Sequence, residues 1–309
     1  MANTQAIRRR ITSTKNTRQI TKAMELVSAS KMRRAQESAL KTRAYRNTAR
    51  QILKRLEKLN TAGNVSSSSP LFDERPVSQR LYIVITSDRG LAGAYNNNVI
   101  RLFNFQLQRD EKEKISSSAI VIGKKAASFV SKIESVNLLG VYTDFSDRPN
   151  IEDIKPILQT ATKAFLPDHS SNDLPQVEEV VLIYTEFHSS INQEVTALSL
   201  LPATVNSDVT EDVVSSNATN DDQVDAEAFE PSPQAVLDKV VPKLVEAQAM
   251  QAFLEATASE HSMRMLAMKN ASDNANDLID DLTLAFNSAR QAAITQEIAE
   301  ITGGAVAIN

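Results

Sequence analysis

The fold is decided by a long segment without helix breakers, whose centre reads ITKAMELVSASKM at residues 20–32. Neither glycine nor proline occurs in residues 1–62, and neither occurs in residues 243–302. An average helix has about 11 to 12 residues, whereas a continuous helix of about 60 residues would be ~90 Å long. Because a compact domain does not enclose a helix of that length, the sequence predicts a coiled coil that projects from a domain.

Apolar residues recur at spacings of three and four along both segments, which is typical of helical stripes. In the first segment the stripe includes Ile7, Ile11, Ile20, Met24 and Val27, and in the last it includes Leu278, Leu282, Ala285, Ala289, Ile294, Ile298 and Ile301. We expect these stripes to form the seam between the first and the last helix.

Charge is distributed very unevenly along the chain. Residues 1–60 carry 16 basic and 3 acidic residues, residues 234–302 carry 10 acidic and 5 basic residues, and the formal net charge of the whole chain is -4. The opposite signs favour antiparallel pairing of the two helices within one chain, and the basic excess predicts an anionic partner. Nucleic acid is disfavoured as that partner, because Tyr45 is the only aromatic residue of the basic segment.

Between the two segments, short apolar strands alternate with helices. Strands are predicted at 81–86, 119–123, 136–141, 180–185 and 194–200, and helices at 96–110, 124–133 and 151–165. This alternation indicates a mostly parallel, Rossmann-like sheet. The predicted plan is an N-terminal coiled-coil helix (1–60), a linker (61–79), a Rossmann-like α/β domain (80–205), an acidic loop (206–233) and a C-terminal coiled-coil helix (234–309).

Motifs for catalysis or cofactor binding are missing from the sequence. The absence of cysteine excludes disulfides and thiolate metal sites. The turn SDRGLAG at residues 87–93 lacks both the phosphate-binding and the dinucleotide-binding glycine patterns, so we expect a tight turn fixed by Gly90 and Gly93. The three histidines have no metal-ligand spacing. We therefore expect no catalytic residue, no cofactor, no metal and no direct nucleotide binding.

Four motifs, in order along essentially the whole chain, resemble the gamma subunit of F-type ATP synthases. They are the stretch at residues 20–32, SDRGLAG at 87–93, SEHSMRMLAMKNASDN at 259–274 and ARQAAITQEIAEITGGA at 289–305. The second motif departs from the family at Ala92, where a cysteine is usual.

The resemblance implies a non-catalytic rotor subunit of a proton-translocating ATP synthase. In that family the first and last helices form an antiparallel central stalk inside a ring of three alpha and three beta subunits. The α/β domain forms a foot that touches the epsilon subunit and the c-ring. The stalk transmits rotation of the c-ring to the catalytic beta subunits, and thereby couples ion transport to ATP synthesis.

The resemblance also implies partner-contact residues. Lys22 and Met24 would lie near an acidic loop of beta, and Arg290, Gln291 and Thr295 would contact a beta loop higher up. Arg264, Glu297 and Glu300 would lie along contacts between the helices or with the ring. Met24 also fits an ordinary core methionine. Glu297 and Glu300 equally fit solvated residues or pairs within the coil.

No run of apolar residues reaches the ~18 to 20 that a membrane span needs, and no secretory or transit segment precedes the first helix. We therefore expect a bacterial protein at the cytoplasmic face of the cell membrane, attached peripherally through its complex. Two alternatives remain open, a structural coiled-coil adaptor and an α/β small-molecule-binding protein. Removal of the terminal helices would separate them, because a small-molecule enzyme would keep its activity.

Overall fold

A computed structural model of the chain describes residues 4–61, 70–146, 149–166, 175–203 and 233–308. The predicted acidic segment at 206–230 and residues 62–69 of the predicted linker lie outside the described residues. The chain divides into two compact units, one formed by Met1–Ser30 with Arg264–Asn309 and the other by Lys31–Met263.

The two longest helices stand at the two ends of the chain. Helix α1 spans Thr4–Thr61 and has 58 residues, and helix α5 spans Pro233–Ile308 and has 76. The long helices predicted from the breaker-free residues 1–62 and 243–302 are therefore confirmed. Helix α5 extends beyond its breaker-free residues at both ends, since it also contains Pro242 near its beginning and Gly303 and Gly304 near its end.

In the first unit, α1 and α5 are antiparallel. The Nη1 atom of Arg18 donates a hydrogen bond of 2.7 Å to Oδ1 of Asn276. Helix α1 runs out of this unit at Ser30, whereas α5 runs into it at Arg264, so the two helices run in opposite directions. The predicted antiparallel coiled coil of the first and last helices is confirmed.

The seam of α1 is more polar than predicted. Its regularly spaced covered positions are Ile7, Ile11, Thr14, Arg18, Thr21, Glu25 and Ser28, which alternate at intervals of four and three. Ile7 and Ile11 lie in it as predicted, but the placement of Ile20 and Val27 is wrong, since their side chains are 61% and 55% exposed. Small hydroxyl side chains are tolerated in this seam because several bond to their own helix, as Thr14 does to the carbonyl of Arg10 at 2.9 Å.

The seam of α5 differs from the prediction in the same way. Its regularly spaced covered positions are Met268, Ser272, Ala275, Ile279, Leu282, Phe286, Ala289 and Ala293. Leu282 and Ala289 were predicted correctly. The prediction is wrong for Leu278, Ala285, Ile294, Ile298 and Ile301, which are exposed. These residues share a helical spacing with one another, but they lie on the outer side of the helix pair.

The second unit is built on a five-stranded sheet. The strands are β1 (Gln79–Ile85), β2 (Ser116–Ile122), β3 (Val136–Tyr142), β4 (Glu179–Phe187) and β5 (Gln193–Leu201), in the order β3-β2-β1-β4-β5. All neighbouring strands are parallel except β4 and β5, which form an antiparallel hairpin. The helices between the strands are α2 (Tyr95–Glu113), α3 (Lys124–Val130) and α4 (Ile151–Phe165), and Pro70–Phe72 forms a 3-10 turn. The predicted mostly parallel, Rossmann-like sheet is confirmed.

Each face of the sheet has its own core. Side chains alternate along a strand, so Leu81 and Ile83 point to one face and Tyr82 and Val84 to the other. The first face is covered by α4 and by part of α5, including Phe253. The second face is covered by α2 and α3. The C-terminal helix is thus part of the sheet domain as well as of the helix pair.

Candidate partner-contact surface

The candidate residues on α1 lie beside exposed aliphatic side chains. The Nζ atom of Lys22 lies 3.0 Å from Oε1 of Glu25, one turn away, and the Lys22 side chain is 56% exposed. Met24 is half-buried. Ile20 and Val27, four residues before and three after Met24, project outward on the same side of the helix. Met24 therefore lies beside exposed aliphatic side chains, whereas Lys22, two residues away along the chain, projects from a different side of α1.

The six candidate residues on α5 divide into two groups. Arg264 is buried on the covered side of the helix. The other five, Arg290, Gln291, Thr295, Glu297 and Glu300, are exposed. Two of these bond only locally: the Thr295 hydroxyl donates to the carbonyl of Gln291 at 3.0 Å, and Oε1 of Glu300 accepts from Nε2 of Gln296 at 2.9 Å. The side chains of the exposed group are open to another molecule, whereas the Arg264 side chain is largely covered by its own chain.

The exposed aliphatic residues of the first unit form what we call the outer aliphatic set. Its members are Ile20, Leu26 and Val27 on α1, and Leu278, Leu284, Ile294, Ile298 and Ile301 on α5. Leu284 and Ile301 are 75% and 72% exposed. Single exposed aliphatic residues are common on protein surfaces, but repeated ones along a helix pair make it a candidate surface for contact with another protein.

At the carboxyl edge of the sheet, one carboxylate joins two loops. Oδ1 of Asp88 accepts a hydrogen bond from the backbone N–H of Lys124 at 3.0 Å, at the start of α3. Oδ2 of the same residue accepts from the backbone N–H of Asp144 at 2.9 Å. The Nζ atom of Lys124 also donates to Oδ1 of Asp144 at 2.8 Å, and this bond lowers the pKa of the Asp144 carboxyl below its usual value. Asp88 therefore occupies the place at this edge where a ligand's anionic group would be bound.

The turn that carries Asp88 is not fixed in the predicted way. Gly93 has a φ of 57°, as expected for a glycine in a tight turn, but the other left-handed residue is Leu91, with a φ of 63°. Gly90 is outside the left-handed region, so the expectation that it fixes the turn is wrong. The Ser87 hydroxyl and backbone N–H bond instead to Asn96 Oδ1, both at 3.0 Å, which ties the turn to α2.

The described part of the chain lacks both a metal-binding cluster and a membrane-spanning helix. Within it, no group of three or more histidine, cysteine, aspartate or glutamate side chains is placed to hold a metal ion. His188 is partly exposed and His261 is buried, while His169 lies outside the described residues. No helix within the same ranges is long and apolar enough to cross a membrane.

Comparison with known proteins identifies the family. The family model described as ATP synthase matches residues 3–308. The ATP synthase gamma chain of Herpetosiphon aurantiacus is 42% identical over 310 residues, which cover 100% of both chains. The chain belongs to the ATP synthase gamma chain family. The resemblance found in its four sequence motifs is thereby confirmed, and the function of the chain is that of an ATP synthase gamma chain.

Solved structures of mitochondrial ATP synthases contain chains with the same fold. A chain in the rotor-containing assembly of the Euglena gracilis mitochondrial ATP synthase (OSCP, F1 and c-ring) matches with a TM-score of 0.65 and 17% identity. The match covers 99% of this chain and 94% of that one. A chain in the central stalk and c-ring structure from Tetrahymena thermophila matches with a TM-score of 0.57 and 23% identity, covering 82% and 99%. The fold described above is that of the central stalk.

The outer aliphatic set is the feature that the sequence analysis assigned wrongly. Ile20, Val27, Leu278, Ile294, Ile298 and Ile301 were identified as apolar and periodic but were placed in the seam, and Leu26 and Leu284 were not identified. The available signal was the interruption of the heptads by polar residues, because two helices packed by those stripes alone would leave a loose seam. A second apolar surface, facing outward, explains the same pattern.

Proposed function

We propose that this gamma-family chain is the rotating shaft of the ATP synthase and acts on catalytic subunits through the outer side of its helix pair. The observation that carries the proposal is the outer aliphatic set, which the chain itself leaves uncovered. Apolar side chains on a shaft can slide past a surrounding protein surface, because dispersion contacts have little directional preference. The exposed charged residues Lys22 and Arg290 would then meet acidic groups only at certain angles of rotation.

The proposed mechanism is a shift of populations. A shaft whose sides differ presents a different surface to each catalytic subunit at each angle, and so favours a different conformation of each one. Rotation driven by ion flow through the c-ring would then force each subunit in turn through its nucleotide-binding states. The partner-contact roles of Lys22, Met24, Arg264, Arg290, Gln291, Thr295, Glu297 and Glu300 belong to this proposal.

We further propose that residues 80–205 form the foot of the shaft. The foot would contact the epsilon subunit and the c-ring, while the helix pair enters a ring of three alpha and three beta subunits. The chain would then lie peripherally at the cytoplasmic face of a bacterial membrane.

We also propose that the chain carries no catalytic or nucleotide-binding site of its own. Support comes from Asp88, whose two carboxylate oxygens already accept backbone N–H groups at the carboxyl edge of the sheet. A nucleotide phosphate that binds these two N–H groups would have to displace the carboxylate of Asp88, which is part of the chain itself.

The experiment measures both the subunit composition of the complex and the rotation of this chain within it. The complex that contains this chain would be purified from its own membranes and weighed by native mass spectrometry. A probe would then be attached to a Gln108→Cys variant, because the chain has no other cysteine and Gln108 is exposed on α2. We expect one copy of this chain with three copies each of two larger chains, and rotation of the probe when ATP is added.

Two results would contradict the proposal. One is a chain that purifies as a monomer or a homodimer without larger nucleotide-binding partners. The other is a complex of the expected composition that hydrolyses ATP while the probe stays at a fixed angle. The attached probe itself is controlled by measuring ATP hydrolysis of the Gln108→Cys complex before and after labelling.

A further inference from the structure

The tip of the β4–β5 hairpin is held by its own hydrogen bonds. The backbone N–H of Ser189 donates to the carbonyl of Asn192 at 2.9 Å, and the backbone N–H of Asn192 donates to Oγ of Ser189 at 2.9 Å. Nε2 of Gln193 donates to the carbonyls of Ser189 and Ser190 at 3.2 and 3.0 Å. These hydrogen bonds hold the hairpin turn in one conformation, so that a force applied to the turn can be transmitted.

The same hairpin is bonded to α5. Oγ of Ser262 donates to the carbonyl of Ser190 at 2.8 Å, and Nε2 of Gln193 donates to Oγ of Ser262 at 3.0 Å. One turn earlier in α5, Oγ of Ser259 donates to the carbonyl of Thr185 in β4 at 3.2 Å. Both serines are fully buried, so water does not compete for these bonds.

The contact between α5 and the sheet also has an apolar part. Ala249, Ala252, Phe253 and Ala256 of α5 belong to the apolar core on that face of the sheet. Close packing of such side chains resists movement of the helix without a preferred hydrogen-bond direction. Hydrogen bonds weaken steeply when they are bent. The bonds of Ser259 and Ser262 therefore add a directional constraint on the angle of α5 about its own axis.

We propose that Thr185, Ser190, Gln193, Ser259 and Ser262 form a hairpin clamp, through which torque passes from the sheet domain into α5. This inference rests on the proposed rotor function, because only a rotating shaft needs such a lock. Helix α5 continues without interruption from the clamp to Ile308. A turning force on the sheet would therefore pass into the last helix through the hairpin as well as through the packed core, and the clamp would limit rolling of α5.

The clamp is opened by removing hydroxyl groups. In the complete complex, Ser262→Ala removes two of the bonds, and Ser259→Ala with Ser262→Ala removes the three described above. The carbonyl of Ser190 keeps its bond from Gln193, so the hairpin itself stays folded. We expect backbone amides 188–193 to exchange with deuterium about fivefold faster in Ser262→Ala, which corresponds to the loss of about 1 kcal/mol.

The mechanical measurement uses a probe on Gln108→Cys with the outer ring fixed to a surface. In a stalled complex the angular fluctuation of the probe should be wider in the double variant than in the parent. In membranes, fewer ions should be pumped for each ATP hydrolysed. Thr257→Val is the matched control, since the Thr257 hydroxyl bonds only within α5, to the carbonyl of Phe253 at 2.8 Å. The control should match the parent in all three measurements.

The outcomes separate the clamp from the rotor. Unchanged exchange and unchanged fluctuation in the double variant would overturn the clamp. Faster exchange with unchanged fluctuation and pumping would also overturn it, because the bonds would then only anchor the hairpin. A parent complex whose probe does not rotate with ATP would instead contradict the proposed function, whatever the variants do.

Discussion

Arg18 of α1 donates a 2.7 Å hydrogen bond to the side-chain carbonyl of Asn276 in α5, 258 residues away. The donor is a guanidinium and the acceptor is a neutral amide, although the two helices carry opposite net charges. The electrostatic attraction between the two helices therefore has a different origin from the pairing of individual side chains. The first is a long-range effect of the charge distribution, and the second depends on which side chains meet at the seam.

Loss of this bond should weaken the helix pair. Asn276→Ala leaves the half-buried guanidinium of Arg18 without this acceptor, and we expect the free energy of unfolding to fall by about 1 to 2 kcal/mol. Asn276→Asp keeps an acceptor and adds a charge, so stability should be retained. Chemical unfolding followed by circular dichroism measures both. Asn274→Ala, at an exposed position of α5, is the control and should change stability little.

Two glycines of the sheet domain should respond in opposite ways to alanine. Gly123 has a φ of 92°, and a Cβ atom there would lie 2.3 Å from the carbonyl oxygen of Thr86. We expect Gly123→Ala to destabilise the chain by about 2 kcal/mol or more, because backbone atoms would have to shift. At Gly90 a Cβ atom would meet nothing within 4 Å. Thermal unfolding of Gly90→Ala should therefore resemble that of the parent, and equal losses in both variants would contradict the explanation.

The stability of the sheet domain should decrease in alkaline solution because of Tyr82. Burial, and then the 2.6 Å hydrogen bond that the hydroxyl donates to Asp110, raise the pKa of Tyr82 above its usual value. The unfolded chain ionises this tyrosine near pH ~10, while the folded chain keeps it protonated. The stabilising contribution is thus complete below that pH and is lost as the pH rises.

Tyr82→Phe tests this origin. At neutral pH the variant should be less stable by about 1 to 2 kcal/mol, because Asp110 is fully buried and loses a donor. Its unfolding free energy should then fall less steeply than that of the parent between pH ~9 and ~11. Urea unfolding at a series of pH values measures both effects. Parallel curves for the two proteins would show that other groups cause the alkaline loss.

A buried hydroxyl offers a stabilising change. Oγ1 of Thr185 is buried and has no hydrogen-bond partner among the described residues. Thr185→Val replaces it by a methyl group of similar size, so the free energy of unfolding should stay level or rise by up to about 1 kcal/mol. The carbonyl of Thr185, which accepts from Ser259, is unaffected. A loss of more than 1 kcal/mol in thermal unfolding would mean that the hydroxyl has a role in the folded state.

Substitution of the exposed candidate residues of α5 should change ATP hydrolysis by the complex and leave the stability of the isolated chain unchanged. Arg290→Ala and Glu297→Ala remove exposed charges, and the unfolding of the isolated chain should change by less than about 0.5 kcal/mol. If these residues contact catalytic subunits, ATP hydrolysis by the whole complex should fall. Asp273→Ala is the comparison, because it removes an exposed charge of the same helix that is not among the proposed contact residues. Unchanged hydrolysis in Arg290→Ala and Glu297→Ala would remove them from the contact surface.

The sequence was sufficient for the sheet and for the presence of the long helices. Runs such as 81–85 carry only apolar or aromatic side chains and lie between helical segments, and a doubly covered, mostly parallel sheet buries such strands. The seam could not be predicted, because apolar periodicity identifies a side that needs covering without saying what covers it. Ile20 and Ile298 are exposed, whereas Thr21 and Ser28 are covered within the pair.

The details of the turn after β1 could not be predicted either. A leucine rarely adopts a positive φ, so the sequence favoured a glycine where Leu91 stands. What holds this turn is a set of hydrogen bonds between residues far apart along the chain, such as Asp88 and Asp144. Such bonds depend on the tertiary structure, and local sequence patterns do not contain them.

The carboxylate of Asp88 also gives this edge of the sheet an anion of its own. In a nucleotide-binding sheet, the anionic ligand at this edge comes and goes with its cellular concentration. Here the anion is part of the chain, and it accepts hydrogen bonds from two backbone N–H groups without any ligand. If the chain binds no nucleotide, as proposed above, the arrangement at this edge would not depend on the cellular concentration of ATP.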